Sequence, residues 1–143
     1  MRTMRRFKQI LSDEDCLEIL ERGTHGVMAI VADDDYPYAV PINYYYNPET
    51  NKIYFHGANK GMRWDYMLEQ PKVSFCVVDM DQNDPENYST NFRSVICYGN
   101  ARVVTDEEEY HKALKTYHTN SPATQEHSPE LQYTGCPKSH QTH

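Results

Sequence analysis

The stretch YAVPINYYYNPETNKIYFHGANKGMR, residues 38–63, decides how this chain is read. It divides into a strand (YAVPINYYY), a turn (NPETN), a second strand (KIYFHGA) and the start of a helix (NKGMRWDYM). The second strand passes its last residues, His56, Gly57 and Ala58, directly to that helix start. On a helix Lys60 and Arg63 are spaced to share one face. A strand running into a helix N-terminus, with glycine for close approach and two cations beside it, suits a phosphate group.

Working outward, Ser12 is placed to cap a short helix, Asp13 to Arg22, with acidic residues in its first turn. Cys16, Leu17 and Leu20 supply its apolar stripe, and Gly23 stops it. Val27 to Val31 is a short apolar strand between Gly26 and the acidic run Asp33–Asp35. With the strand that begins after Pro37 it forms an antiparallel hairpin. Pro41 removes a backbone donor, so its strand lies at an edge or carries a bulge. Of the three consecutive tyrosines, alternation points Tyr44 and Tyr46 one way and Tyr45 the other.

Downstream, a helix from about Asn59 to Glu69 carries Trp64, Met67 and Leu68 for packing, with Pro71 after its end. Val73 to Met80 reads as a strand, DQNDPENYSTN as a polar loop, and Arg93 to Val104 as a long strand in which Gly99 marks a bend or bulge. Thr105 is placed to cap a last helix, Asp106 to about Tyr117. The order is helix, three antiparallel strands, helix, two strands, helix. A doubly wound sheet needs helices between successive strands. This order instead predicts a mainly β fold, a small β-barrel with a few helices at its ends. Residues 1–118 form that domain. Residues 119–143, with prolines at 122, 129 and 137 and Leu131 as the one large aliphatic residue, read as a polar tail that cannot fold alone.

Bulk properties narrow the function. At 143 residues one domain is expected, and no run of 18 apolar residues exists to span a membrane. The formal net charge of -7 argues against a nucleic-acid partner. The basic cluster Arg2, Arg5, Arg6 and Lys8 is read as a solvated N-terminal arm. The start MRTMRRFKQILSDED has no apolar core segment and no small-residue cleavage site, so it is not a secretory signal. Cysteines at 16, 76, 97 and 136 form no CxxC pair, which argues against a zinc knuckle. Cys76 and Cys97 sit in apolar strand runs as buried thiols, and a cytoplasmic location fits all four. No nucleophile elbow, Ser-His-Asp order or paired carboxylates are present. His111 and His118, seven apart, are read as solvated side chains rather than a metal pair.

The segment PYAVPINYYYNPETNKIYFHGANKGMRWDYMLEQPKVSF, with the later FRSVICYGNARVV, resembles the pyridoxamine 5'-phosphate oxidase-like flavoproteins, most closely their nitroimidazole-resistance (Nim-type) branch. The shared pattern is a strand ending VP, then YFH-small-A, a glycine-plus-cation helix start, NP-x-V in the family where this chain has QPKV, and a later SV-x-x-x-G strand. The resemblance covers roughly residues 5 to 118.

That resemblance implies an FMN-binding split β-barrel that dimerises, with two FMN molecules at the subunit interface. It implies that Arg63 and Lys60 hold the phosphate, that His56, Gly57 and Ala58 lie beside it with His56 at the active site, and that Val40, Pro41, Ile42 and Asn43 pass along the flavin ring. Arg93 and Ser94 would reach the phosphate from the partner subunit. Some relatives bind haem instead, with His56 as the candidate axial ligand. Two departures from the family matter. Met62 precedes Arg63 where two adjacent basic residues are usual, and LQYTGCPK has no clear strand before it, so an edge strand of the barrel is expected to be missing. The leading reading is an FMN-dependent oxidoreductase passing electrons to a small organic acceptor, a nitroaromatic among the candidates, or to oxygen. The alternatives are a haem-binding protein that stores or degrades haem and a non-catalytic interaction domain with a decayed flavin pocket. Trp64 is assigned to core packing rather than ligand stacking.

Overall fold

The computed structural model describes residues 10–55, 60–84, 89–104, 108, 129–133 and 138–142. Its elements are α1 (Asp13–Arg22), β1 (His25–Val31), β2 (Pro37–Asn47), β3 (Lys52–Phe55), α2 (Met62–Glu69), β4 (Lys72–Asp84), β5 (Ser89–Val103), β6 (Pro129–Tyr133) and β7 (Lys138–Thr142). The sheet runs β4-β1-β2-β3-β6-β5-β7, and β4 pairs again with β5. Every ladder is antiparallel. The sheet therefore curls on itself into a split β-barrel, with two α-helices among the described residues, the class expected from the order of elements.

α1 forms where its caps dictate. Ser12 Oγ accepts from the Asp15 backbone N–H at 3.2 Å, and Asp13, Glu14 and Asp15 fill the first turn. Cys16, Ile19 and Leu20 are its buried residues, with Leu17 packed at the margin. Gly23 ends the helix with an ordinary extended backbone, φ -68°. A Cβ there would collide with the Tyr44 hydroxyl, which itself donates to the Leu20 carbonyl at 2.8 Å. Close approach, not left-handed geometry, is what calls for glycine at this helix end.

The core lies inside the curl. Met28 and Ile30 of β1, Ile42, Tyr44 and Tyr46 of β2, Ile53 and Phe55 of β3, Phe75 and Val77 of β4, and Val95 and Cys97 of β5 are all buried. Phe75 packs edge-on against both Tyr44 and Phe55, each at 5.0 Å between ring centroids. The consecutive tyrosines alternate as expected: Tyr44 and Tyr46 point inward, and Tyr45 points out, stacked on Tyr54 at 6.4 Å. Tyr46 Oη donates to Asn51 Oδ1 at 2.6 Å, tying the NPETN turn to the barrel. Gly26 sits where β1 meets β4, and a Cβ there would lie 2.5 Å from Phe75 Cζ and 2.6 Å from the Cys76 carbonyl oxygen.

Four expectations are corrected. The edge strand is present: β6 pairs with β3 on one side and β5 on the other, completing the barrel wall. β6 and β7 lie end to end along one edge of β5. The three-residue step from Ile96 to Gly99 is matched there by a five-residue step from Tyr133 to Lys138. The bend assigned to Gly99 is absent from the β4 ladder, where Gly99 pairs in register with Val73; the irregularity falls between Met80 and Asn83. Most of DQNDPENYSTN belongs to the β4–β5 hairpin, whose ladder extends to Asp84 opposite Ser89. Finally α2 starts at Met62, not Asn59, so Lys60 precedes the helix and shares no helical face with Arg63. The last helix, Asp106 to Tyr117, lies outside the described residues apart from Glu108, as do His111 and His118.

Candidate functional site

The backbone of β2 sets the site. The Tyr44 N–H donates to the Thr24 carbonyl at 3.1 Å, and the Ala32 N–H donates to the Tyr36 carbonyl at 2.7 Å. In an antiparallel ladder these bonds alternate, so even-numbered residues of β2 bond toward β1 and odd-numbered residues face the opposite edge. That edge pairs with β3 only from Tyr44 to Asn47. Pro41 is odd-numbered, so its missing N–H costs the β1 ladder nothing, and it lies in the half of β2 that β3 does not cover. The edge reading of Pro41 is thereby explained.

The same alternation divides the four residues expected along a flavin ring. Ile42 is buried and Val40 is packed against the core. Pro41 and Asn43 are exposed on the outer face. That face is largely apolar. Across β2 and β1 it presents the pairs Pro37–Val31, Ala39–Ala29, Pro41–Val27 and Asn43–His25. It continues onto Ser74, Cys76 and Val78 of β4 and onto Ile96 and Tyr98 of β5. Val27, Val31, Val78 and Tyr98 are among the exposed large apolar residues. An open groove of about 590 Å³ occupies one end, between Val31, Pro37, Tyr98 and Asn100, with Asp35 and Lys72 at its rim.

The helix start lies past the end of β3. Lys60 follows Phe55 by five positions, so it lies at most about 17 Å from Phe55, which pairs with Tyr44 of β2. Gly61 is the N-cap of α2, with φ 105° and no side-chain capping bond. A Cβ built on Gly61 meets nothing within 4 Å among the described residues. Lys60 is exposed and Arg63 half-buried, and among the described residues neither has an ion-pair partner. A helix start with no side-chain cap and two nearby cations form a donor set that fits a phosphate.

α2 is held in place from behind. Tyr66 Oη donates to Asp33 Oδ2 at 3.0 Å, and its ring meets Tyr38 edge-on at 6.1 Å. The hydrogen bond to Asp33 raises the Tyr66 phenol above its usual range. Trp64 lies over β5 with Met67, beside Ala101 and Val103, as its packing assignment expected.

Arg93 and Ser94 are placed differently from the rest. Both lie inside β5, not at its start. Arg93 Nη2 donates to Asp79 Oδ2 at 2.7 Å, and Arg22 Nη2 donates to both Asp79 oxygens, at 2.8 and 3.0 Å. Burial acts to raise the Asp79 carboxyl, but hydrogen bonds from Arg93 and Arg22 outweigh it and hold the group below the usual carboxylate range. Arg93 thus ties β5 and β4 to the end of α1. Ser94 is buried. His56, Gly57 and Ala58 lie outside the described residues.

Sequence reading passed over His25. It precedes an apolar run and carries no motif; only its register opposite Asn43 brings it to the outer face. Among the described residues no group of three or more His, Cys, Asp or Glu side chains is placed to hold a metal ion, and no helix is long and apolar enough to cross a membrane.

The fold defines a split-barrel protein. The profile of the family described as pyridoxamine 5'-phosphate oxidase matches residues 12–134, and the chain belongs to that family. Solved structures share the fold at low identity. A candidate 5-nitroimidazole antibiotic resistance protein from Bacteroides thetaiotaomicron superimposes with a TM-score of 0.76 at 16% identity, covering 91% of this chain and 85% of that one. An FAD-binding protein from Mycobacterium smegmatis gives 0.73 at 22%, covering 93% and 97%. A haem-binding protein from the same organism gives 0.65 at 14%, covering 91% of this chain and 57% of its own. No curated protein matches the sequence.

Proposed function

We propose that this protein is an FMN-dependent oxidoreductase acting as a homodimer. The observation that carries the reading is the start of α2: a helix N-terminus with no side-chain cap, with Lys60 and Arg63 beside it in sequence. Arg63 holds the phosphate, since a guanidinium can engage two phosphate oxygens at once, and Lys60 adds a second charge. Pro41 and the outer apolar face support the ring, and His56, Gly57 and Ala58 keep the roles that the family resemblance implies for them. FMN supplies the electron transfer when bound; the chain's own residues bind it, orient it and tune its affinity for electrons.

The dimer reading is supported by the outer face, where Val27, Val31, Val78 and Tyr98 form an exposed apolar surface of the kind that a partner covers. A second copy of the chain completing each ring site is the arrangement proposed. The substrate is a small organic acceptor; a nitroaromatic is supported by the Bacteroides neighbour, and oxygen is the other candidate. Among the described residues Cys76 and Cys97 form no disulfide, in keeping with a cytoplasmic setting. The haem-binding neighbour supports haem as the alternative cofactor, with His56 as its ligand.

The test is the absorbance spectrum of purified protein with FMN or haem added, followed by affinity in Arg63→Ala. FMN retained through gel filtration, with a Kd rising tenfold or more in the variant, is the expected result. A Soret band in place of the flavin bands turns the assignment to haem. An unchanged FMN Kd in Arg63→Ala removes the phosphate site.

A further inference from the structure

The outer face of the barrel is apolar along the β1–β2 seam except at one end, and there two hydrogen-bonding side chains stand together. His25 and Asn43 are paired across the strands. Both are odd-numbered on a ladder whose even-numbered residues of β2 bond to β1, so they form a non-hydrogen-bonded pair, the kind in which side chains approach most closely. Both are exposed. The Thr24 hydroxyl lies 3.2 Å from His25 Nδ1, which occupies that ring nitrogen and leaves Nε2 directed away from it. The pair flanks the Pro41–Val27 rung, and it stands at the end of the seam nearest Phe55, where β3 leaves toward α2.

We infer that the His25–Asn43 pair reads the polar edge of the ring that lies along this face, with His25 Nε2 and the Asn43 amide as hydrogen-bonding groups. The ligand class is a planar heteroaromatic with oxygens along one edge, as in the pyrimidine side of a flavin. Apolar rungs beside the pair support such a ring, and the two polar side chains mark where its carbonyl edge must stop. A hydrogen bond given to that edge favours the electron-rich reduced ring, so His25 sets redox tuning as well as orientation. His25 is a positioning residue for the proposed flavin site, and the inference rests on that reading.

The test measures FMN affinity by flavin fluorescence, and the midpoint potential of bound FMN, in wild type, His25→Ala and His25→Gln. His25 is an exposed strand-start residue, so the variants keep the barrel core. The expected result is roughly a five- to tenfold higher Kd in His25→Ala, the loss of one hydrogen bond, with a more negative potential. His25→Gln retains a donor and recovers most of both. Wild-type affinity and potential in His25→Ala overturn the inference while leaving the phosphate site standing, provided Arg63→Ala still loses FMN. A wild-type protein that takes up no FMN overturns both.

Discussion

Replacing Gly26 with alanine probes the seam between β1 and β4. The new methyl would sit 2.5 Å from Phe75 Cζ and 2.6 Å from the Cys76 carbonyl oxygen. Neither neighbour yields easily. The Cys76 carbonyl belongs to the β4 backbone, where Cys76 pairs with Val27, the residue next to the substitution. Phe75 is fully buried and wedged between Tyr44 and Phe55. Relief requires the strands to part or the ring to turn against two others, and overpacking of this kind costs about 1–3 kcal/mol per site. Two collisions, one against backbone, place Gly26→Ala at the upper end. Reduced freedom of the unfolded chain returns about 0.4–1 kcal/mol, leaving a net loss of about 2 kcal/mol. For a chain of this size that lowers Tm by roughly 6–8 °C. Urea unfolding followed by tryptophan fluorescence measures the loss directly, with the midpoint moving and the m-value unchanged. A midpoint within about 0.5 kcal/mol of wild type would refute the packing argument.

Other outcomes follow from features already described. Asp79 has a folded pKa held below its unfolded value, so its contribution to stability is present above about pH 4 and is lost as pH falls through the folded pKa. Asp79→Asn should flatten this acid dependence and, by weakening the bonds to Arg22 and Arg93, cost about 1–3 kcal/mol at pH 7 in chemical denaturation. The Cys97 thiol is pushed up to about 12 by burial, with Cys16 and Cys76 nearby. At pH 8 only about one part in 10⁴ is thiolate, so mass mapping after thiol labelling should find Cys76 modified in the native state and Cys97 only on unfolding. Deleting residues 129–142 removes β6 and β7, exposing the edges of β3 and β5; light scattering should rise and the cooperative unfolding transition weaken.

Much of the fold was legible because β1 to β3 obey local rules. The alternation in YAVPINYYY set Tyr44 and Tyr46 on one face and Tyr45 on the other, and the turn residues of NPETN fixed the hairpin. β6 was not legible. PELQY alternates in side-chain character, but a proline, a glutamate and a glutamine dilute its strand composition, and it is pairing with both β3 and β5 that makes it a strand. The β4–β5 tip misled in the same way: Asp, Asn and Ser favour turns in isolation, yet the ladder carries them to Asp84 and Ser89. At the site, glycine beside cations was a readable signal, whereas the true helix start depended on the 105° φ of Gly61. Arg93 looked available for a ligand because its partner, Asp79, is distant in sequence. His25 was invisible for a related reason, since cross-strand register decides which residues meet and a single chain read linearly does not display it.

The position of β6 has a consequence for synthesis. β3 is complete at Phe55, yet the strand that covers it ends at Tyr133. A ribosome adding about 5–20 residues per second leaves that edge waiting for roughly 4–16 s. During this interval the nascent chain holds finished hairpins with a bare flank, and the final seam closes through contacts far apart in sequence, a slow kind of step. Chaperone dependence in the cell should therefore track the time taken to deliver β6 rather than the stability of the finished barrel.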